Sequence, residues 1–303
     1  MSTLANIRKL FGLGIGVGCC LLPALLQAQP EGTIMPPGIR WGSERVPEPG
    51  VQMRSYTFEP TGETLPYSVY VSSKLKPGDK APLIVALRGF TGNTLTIVRG
   101  TAVDLAEEQG YILVGALGYN NRAGFGVAPR PPRAPAASAG ATAAARPPQP
   151  PLVGGTAATD PATVTAYSEQ DVMNVLAMVR KEFNIDDSRI YLMGHSQGGG
   201  GARHIAEKYP DIWAGVALLA PAIFDVELTP QSNLARIPVM LTVGDQDSLA
   251  EGTRDFSERL AAVNPEVEFK LYPGVDHGVI ILTSMPEVFG FFAKHSKQAA
   301  QQQ

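Results

Sequence analysis

The chain has 303 residues, and 44% of them are hydrophobic, which is enough to bury the core of one large domain or two small ones. It carries 25 basic and 28 acidic residues, a formal net charge of −3. Because there is no basic excess, nucleic acid is not an expected partner.

The first 28 residues have the pattern of an export signal. Arg8 and Lys9 give a positive start, residues 10–26 are mostly apolar, and Ala28 is a small residue suited to cleavage. We therefore predict a signal peptide at residues 1–28 and a secreted or periplasmic protein. Two alternatives stay open: an uncleaved anchor helix, and a lipoprotein cleavage box at Cys19 in which glycine replaces the usual leucine.

Both cysteines, Cys19 and Cys20, lie inside this signal, so the mature protein is predicted to have no disulfide and no cysteine metal site. Removal of Arg8 and Lys9 leaves 23 basic and 28 acidic residues, a net charge of −5. The sequence shows no second apolar run long enough to span a membrane. We expect a soluble, exported protein.

Residues 29–50 are rich in Pro and Gly, which predicts an extended N-terminal arm. Hydrophobicity then alternates in residues 51–58 and 65–71, which predicts a hairpin. Residues 121–162 are dominated by Ala, Pro, Gly and Arg, a composition that predicts a mobile or polyproline-like insertion without a core. It is either inert or a flap near the site. The Gln-rich tail, residues 298–303, is predicted to be disordered.

Between these segments, buried strands alternate with helices. Strands are predicted at residues 82–87, 111–116, 190–193, 213–219, 238–243 and 267–272, and helices at residues 94–109, 165–183, 202–209, 249–263 and 286–297. Such alternation is typical of a mainly parallel sheet with helices on both faces. The predicted fold class is α/β, with one domain at residues 51–297.

A G-x-S-x-G pattern, Gly194-His195-Ser196-Gln197-Gly198, lies between a predicted strand and a predicted helix. This is the context of a nucleophile elbow, in which a tight turn exposes the serine hydroxyl and glycines avoid collisions with neighbouring backbone. The pattern occurs by chance in glycine-rich chains, and the flanking strand and helix favour the functional interpretation. The backbone N–H of Gln197 is then predicted to point at the oxygen under attack.

The ends of the next strands carry the partners that a serine nucleophile needs. Parallel sheets place their chemistry at the carboxyl ends of strands, where this chain has Gly244-Asp245-Gln246-Asp247 and, further on, Asp276-His277. The histidine accepts the serine proton, and a carboxylate orients the histidine. The order Ser196, Asp247, His277 matches that of α/β-hydrolases.

On these motifs the chain resembles the α/β-hydrolase superfamily, in particular the exported esterases grouped with polyhydroxybutyrate depolymerases and feruloyl esterases. The resemblance covers residues 51–297 without the insertion. It implies that Asp247 is the acid of the triad and that Asp245 supports the turn. Asp225 is an alternative acid, and Asp276 is expected to point elsewhere.

The resemblance also implies an oxyanion hole formed by the N–H groups of Phe90 and Gln197, with Gly89 allowing close approach. Relatives commonly have histidine where this chain has Arg88, which puts the geometry of that loop in doubt. Arg88 is expected either to brace the loop through an ion pair or to bind a substrate carboxylate.

The other histidines, His195, His204 and His295, are expected to be structural, and none shows the spacing of a metal site. No cofactor or metal is predicted, and the sequence leaves the oligomeric state open. The predicted function is hydrolysis of short-chain or oligomeric carboxylic esters through an acyl-enzyme. Alternatives are a serine peptidase similar to prolyl oligopeptidases and a non-catalytic binding protein on the same fold.

Overall fold

The computed structural model describes residues 46–129, 150–224 and 226–297, together with the backbone of residues 33–34. The predicted signal peptide, most of the arm, the centre of the insertion, Asp225 and the tail lie outside the described residues. Among the described residues, no helix combines the length and the apolar character that crossing a bilayer requires.

The fold is built on one mainly parallel sheet. Its strands are β1 (Thr33–Ile34), β2 (Gln52–Phe58), β3 (Glu63–Val71), β4 (Ala81–Leu87), β5 (Ile112–Ala116), β6 (Ile185–His195), β7 (Gly215–Leu219), β8 (Val239–Gly244) and β9 (Val267–Tyr272). Their order in space is β1-β2-β3-β5-β4-β6-β7-β8-β9. Strands β1, β2 and β3 pair antiparallel, as does β3 with β5, whereas all pairs from β5 to β9 are parallel.

In the part of the chain that the structure describes, six α-helices connect or follow the strands. They are α1 (Thr101–Gln109), α2 (Pro161–Glu182), α3 (Gln197–Lys208), α4 (Ala250–Ala261), α5 (Ile280–Thr283) and α6 (Met285–Lys294), and a short 3₁₀ helix spans Asn233–Arg236. Each of the predicted strands and helices within residues 51–297 has a counterpart in the structure, although several bounds differ.

Two hydrophobic cores cover the two faces of the sheet. Because neighbouring side chains of a strand point to opposite faces, Leu83 and Val85 of β4 pack in the core that α2, α3 and α4 close. Ile84 and Ala86 pack in the core that α1 and α6 close. Burial on both faces explains why the central strands are continuous apolar runs.

The predicted helix at residues 94–109 is wrong in its first part, because α1 begins only at Thr101. The Asn93 side chain accepts a hydrogen bond from the Leu95 N–H, and the Thr96 hydroxyl accepts one from the Asn93 N–H. These side chains satisfy the backbone in turns instead of a helix. Helix α3 instead begins earlier than the predicted residue 202, because it starts at Gln197 and includes the glycines at residues 198–201.

The ends of the predicted insertion are part of the folded core, which corrects its bounds. Phe125 and Asn121 are fully buried, and Asn120 forms a β-bridge with Gly154. Helix α2 begins at Pro161, with the Asp160 side chain accepting a hydrogen bond from the Thr163 N–H. Composition was misleading here because a few buried residues anchor a segment that is otherwise rich in Ala, Pro and Gly.

Candidate active site

The structure brings Ser196, Asp247 and His277 to the same edge of the sheet. Ser196 follows β6 directly, Asp247 lies three residues after β8, and His277 lies five residues after β9. The strands β6 to β9 are parallel neighbours, so their carboxyl ends meet at one edge. The predicted constellation is therefore assembled by strands that are distant in sequence.

Ser196 occupies a sharp turn between β6 and α3. Its φ of 56° and ψ of −118° are unfavourable for a residue with a Cβ. The turn is held from both ends, because the Ser196 N–H donates to the Leu219 carbonyl at 2.9 Å and the Ala222 N–H donates to the Ser196 carbonyl at 2.8 Å. This geometry is the nucleophile elbow that the G-x-S-x-G pattern predicts.

The two glycines of the pattern are required by close backbone contacts. A Cβ on Gly194 would overlap the carbonyl of Gly198 across the turn. A Cβ on Gly198 would overlap the carbonyls of Leu87 and Arg88 at the end of β4. The elbow is thus pressed against the loop that follows β4, and only glycine permits that approach.

His277 and Asp247 form a hydrogen-bonded pair at the site. The His277 Nδ1 lies 2.6 Å from Asp247 Oδ2, and the other carboxylate oxygen accepts a hydrogen bond from the Leu249 N–H at 2.9 Å. Since a carboxylate accepts, His277 Nδ1 carries the proton and Nε2 presents its lone pair. The Asp247 side chain is fully buried, whereas that of His277 is 43% exposed. This arrangement leaves the imidazole free to take a proton from a nucleophile.

The neighbouring acids have other roles, as the sequence analysis expected. Asp245 accepts hydrogen bonds from the Gly274 N–H at 2.7 Å and from the Gln246 side chain, which joins the turns after β8 and β9. Asp276 accepts from the Gly278 and Val279 N–H groups at 2.9 Å, immediately before α5. Asp225, the alternative acid, lies outside the described residues.

The loop after β4 lies against the elbow. A Cβ on Gly89 would be 3.4 Å from the Ser196 Cβ, so the backbone of this loop passes beside the nucleophile. The Thr91 N–H donates to the Asn121 carbonyl at 2.7 Å and fixes the far end of the loop. Within the described ranges, the N–H groups of Phe90 and Gln197 donate to no other residue. Both are therefore available to an oxyanion at Ser196.

The structure does not support the second role expected for Arg88, the binding of a substrate carboxylate. Its side chain is 1% exposed, and its guanidinium donates to the carbonyls of Leu117, Gly89, Asn120 and Ala123 and to the Gln197 side chain. Assignment of Arg88 to a substrate carboxylate is therefore wrong. It braces the loop, but mainly through backbone carbonyls and not through the expected ion pair.

His195 contacts His277 as well as the elbow. The His195 Nε2 lies 2.7 Å from the His277 carbonyl, and the two rings lie 4.5 Å apart between centroids. Burial, together with the nearby His277, lowers the pKa of His195 to about 4. His195 is thus neutral near pH 7 and donates from Nε2. Sequence analysis expected a structural role but missed this contact with the base, for which adjacency to Ser196 was the only signal.

The remaining histidines lie away from these residues. His204 Nε2 lies 2.9 Å from the Glu169 carboxylate, which also accepts hydrogen bonds from Lys208 and Tyr209. The His295 ring packs against Phe291 after the last helix. In the described part of the chain, no group of three or more His, Cys, Asp or Glu side chains is arranged to hold a metal ion.

Several exposed apolar side chains lie close in sequence to residues of the site or to residues hydrogen-bonded to it. Phe90 belongs to the oxyanion loop and is 50% exposed, and Val279 lies two residues after His277. Phe224 lies two residues after Ala222, which is hydrogen-bonded to Ser196. Leu152 precedes Val153, whose carbonyl accepts from the Asn121 N–H beside the oxyanion loop. We call Phe90, Leu152, Phe224 and Val279 the apolar rim. Exposed apolar groups gathered at one place are typical of a binding surface.

Known proteins resemble this chain in sequence and in fold. The model of a family described as serine aminopeptidase, S33 (Hydrolase_4) matches residues 161–234. Feruloyl esterase B of Neurospora crassa is 29% identical over 153 residues, which cover 49% of this chain and 41% of that protein. Cutinase 2 of Thermobifida cellulosilytica is 35% identical over 66 residues, 22% of this chain and 23% of that one. The chain thus matches less than half the length of these relatives.

Two solved structures extend the comparison to most of the chain. A feruloyl esterase module from Clostridium thermocellum, in complex with sinapinate, has a TM-score of 0.56 and 15% identity over 84% of this chain and 93% of that one. An S-formylglutathione hydrolase from Agrobacterium tumefaciens has a TM-score of 0.56 and 19% identity over 82% of this chain and 96% of that one.

The sheet order and the similarity to these solved structures show the α/β-hydrolase fold, which confirms the predicted fold class. Within that class, the predicted resemblance to feruloyl esterases is also confirmed.

Proposed function

We propose that this protein is a serine hydrolase that cleaves carboxylic esters through an acyl-enzyme. The observation that carries the proposal is the tight, partly buried elbow at Ser196, at the same edge of the sheet as a histidine whose Nδ1 is held 2.6 Å from a buried aspartate. Such an arrangement presents a nucleophile, a base and an orienting carboxylate together.

In the first half of the reaction, Ser196 Oγ attacks the acyl carbon while His277 Nε2 accepts the hydroxyl proton. The carbonyl oxygen becomes an oxyanion, which accepts hydrogen bonds from the N–H groups of Phe90 and Gln197. His277 then returns its proton to the alkoxide leaving group, and the acyl-enzyme remains. Asp247 stays ionised and stabilises the imidazolium.

In the second half, water attacks the acyl-enzyme. His277 Nε2 takes a proton from the water, the same two N–H groups bind the second oxyanion, and the proton returns to Ser196 Oγ as the acid departs. A half-exposed His277 suits this step, because water reaches its Nε2 from solvent.

The apolar rim supports esters whose acyl or alcohol group is apolar. Phe90 follows Gly89, whose backbone lies against Ser196, and Val279 lies two residues after His277, and both present exposed apolar surface. Feruloyl esterase B is a named relative, and a feruloyl esterase module that binds sinapinate has the same fold. We therefore propose short-chain or oligomeric esters as substrates, with an aromatic acyl group as the first to test after acetate and butyrate.

One observation favours a second candidate, a serine peptidase: the matched family is described as serine aminopeptidase. An amide leaving group needs more complete protonation by His277 than an alkoxide does. Turnover of p-nitrophenyl esters beside p-nitroanilides separates the two. Faster cleavage of the anilide would favour the peptidase.

Export is also a proposal, and it rests on residues 1–28 of the sequence. After expression in a Gram-negative host, N-terminal sequencing of the protein from the periplasm or the medium should begin at Gln29. A full-length chain retained in the cytoplasm would contradict export.

The first experiment is hydrolysis of p-nitrophenyl acetate and butyrate by purified protein, beside Ser196→Ala. We expect kcat to fall by about 10⁶-fold in the variant. Activity that survives in Ser196→Ala would place the nucleophile elsewhere. If both proteins are inactive and a phosphonate does not label Ser196 in the wild type, the proposed function is wrong.

A further inference from the structure

The guanidinium of Arg88 uses all of its hydrogen-bond donors. Nε donates to the Leu117 carbonyl at 2.8 Å, and Nη1 donates to the Gly89 carbonyl at 3.1 Å and to Gln197 Oε1 at 3.0 Å. Nη2 donates to the carbonyls of Ala123, at 2.9 Å, and of Asn120. These five acceptors match the five N–H groups of an arginine, so none is left for a substrate.

Two of the five acceptors, Gly89 and Gln197, belong to the segments that carry the two oxyanion donors. Gly89 immediately precedes Phe90, the first donor. The Gln197 side chain belongs to the second donor, and its Nε2 also donates to the Arg122 carbonyl at 2.9 Å. A single planar group therefore touches both halves of the oxyanion hole and the loop behind them.

We propose that Arg88 is a positioning residue that fixes the separation of the Phe90 and Gln197 N–H groups by joining the loop after β4 to the Gln197 side chain. The proposal rests on the ester-hydrolase function proposed above. Arg88 acts through the backbone and touches neither the substrate nor the reacting atoms.

The shape of the site selects arginine for this role. The two N–H groups of Nη1 donate to Gly89 and Gln197. Nε and Nη2 of the same planar guanidinium donate to the loop at residues 117–123. The guanidinium carbon lies 4.8 Å from the centroid of the buried Phe125 ring, which limits tilting of the plane. Lysine offers three donors at one point, and histidine at most two. Neither can join the same segments.

A buried carboxylate offsets the charge of Arg88 without a direct hydrogen bond between the two groups. Asp171 is fully buried and accepts hydrogen bonds from Tyr56 and from the N–H groups of Gly118 and Tyr119. Burial lowers the pKa of Arg88 to about 9, and the attraction of Asp171 opposes that fall. Arg88 is therefore charged near pH 7, which strengthens each of its hydrogen bonds.

The test compares Arg88→Lys and Gln197→Ala with a matched control, Arg54→Lys. Arg54 is also buried and hydrogen-bonded, to Gln52 and Glu182, but Glu182 ends α2 three residues before the amino end of β6, opposite the site. Gln197→Ala keeps the backbone N–H and removes only the side chain that Arg88 binds. Steady-state kinetics with p-nitrophenyl butyrate are measured beside melting temperature and circular dichroism.

Inhibition by an aryl trifluoromethyl ketone adds a readout that a merely structural role would not change. Ser196 Oγ adds to its carbonyl carbon, the hydroxyl proton passes to His277, and the carbonyl oxygen becomes an oxyanion in the hole. Affinity for the ketone therefore reports the alignment of the two N–H groups.

For Arg88→Lys we expect kcat to fall about 10- to 100-fold with KM changed less than about twofold, because a displacement of about 1 Å has effects of that size. The inhibition constant of the ketone should rise by the same factor. Gln197→Ala should lower kcat about tenfold at an unchanged melting temperature. Arg54→Lys should lower the melting temperature and leave kcat unchanged.

Folded Arg88→Lys with wild-type kcat would overturn the inference, as would equal losses of kcat in Arg88→Lys and Arg54→Lys. If Arg88→Lys does not fold, wild-type kcat in Gln197→Ala overturns it. The two proposals fail separately: an active wild type with unaffected variants refutes the role of Arg88 alone, whereas an inactive, unlabelled wild type refutes the ester-hydrolase function.

Discussion

On one side of Ser196, Asp247 and His277 follow β8 and β9 closely and meet through one hydrogen bond of 2.6 Å. We call this the base side. Its two functional groups are side chains, and each is set by the strand that precedes it. The turns between them are joined by Asp245 and Gly274, which lie within the same two loops.

On the other side, the functional groups are backbone N–H groups, and we call this the oxyanion side. The positions of Phe90 and Gln197 depend on Arg88, on Asn121 and on the residues at 117–123, which come from different parts of the chain. Chemistry thus dictates which residue types the base side needs. On the oxyanion side it dictates only where the backbone must lie.

Replacement of the acid should have the largest effect and tests the base side directly. In Asp247→Asn, the amide no longer stabilises the imidazolium and favours the wrong tautomer of His277, so we expect kcat for p-nitrophenyl butyrate to fall by about 10⁴-fold. Asp245→Asn and Asp276→Asn are matched controls, because both carboxylates accept only from nearby turns. A fall in kcat in either control as large as that in Asp247→Asn would assign the role of the acid to that residue instead of Asp247.

The contrast between the two sides also explains what the sequence could predict. The base side was predictable because Asp247 and His277 each follow a predicted strand by a few residues, and a serine nucleophile needs both residue types. For the oxyanion side, the resemblance to relatives predicted which two N–H groups to expect, those of Phe90 and Gln197, but not which residues position them. Of the two roles expected for Arg88, substrate binding was wrong and loop bracing came from acceptors that could not be foreseen, because they lie up to 109 positions away in the sequence.

The same reason accounts for the errors in the fold. Phe125 is buried against Arg88, Gly118 and Gly201, although its segment has the composition of a loop. No local sequence pattern predicts this contact, because burial of the Phe125 ring depends on residues that are distant in the sequence. Strand β9, whose bounds were predicted without error, depends on local alternation.

Lowering the pH should weaken the hydrogen bond between His195 Nε2 and the His277 carbonyl, which connects the elbow to the base side. Its pKa is about 4 in the folded protein, because of burial and of nearby His277 and Arg99, whereas Asp247 opposes that fall. The ordinary value is about 6.5. A lowered pKa means that the unfolded chain binds the proton more readily. The contribution of His195 to the free energy of unfolding is therefore fully present above about pH 6.5 and is lost as the pH falls toward 4.

The loss attributable to His195 should be on the order of 3 kcal/mol. It is measured as the difference between the wild type and His195→Gln in urea unfolding from pH 7.5 to pH 4. Glutamine keeps a nitrogen donor for the His277 carbonyl and does not titrate. Parallel stability curves for the two proteins would show that His195 is not the group responsible.

A pair of glycines tests whether close backbone packing distinguishes the two sides. In Gly198→Ala, the new methyl group would overlap the Leu87 and Arg88 carbonyls, so α3 must move away from β4. We expect a loss of about 2 kcal/mol in the free energy of unfolding, together with a fall in kcat. On the base side, a Cβ at Gly278 would meet only Asp276 Oδ1 at an ordinary 3.7 Å.

Gly278→Ala should therefore change stability by less than about 0.5 kcal/mol. Urea unfolding of both variants, with kinetics on p-nitrophenyl acetate, makes the comparison. Equal destabilisation by the two substitutions would contradict the view that Gly198 is required by backbone contact whereas Gly278 is not.

The smallest effect expected concerns the apolar rim, which both sides share. Leu152 lies beside the oxyanion side and Val279 on the base side, and both are exposed in the absence of substrate. If a butyryl group covers the rim, each of Leu152→Ser and Val279→Ser removes part of an apolar contact, and KM for p-nitrophenyl butyrate should rise about threefold. Acetate lacks the two methylenes that would reach the rim, so its KM should stay within experimental error in the same proteins.

An equal rise in KM for both esters would indicate a disturbed site instead of a lost acyl contact. A rise in only one of the two variants would assign the acyl group to that side of Ser196.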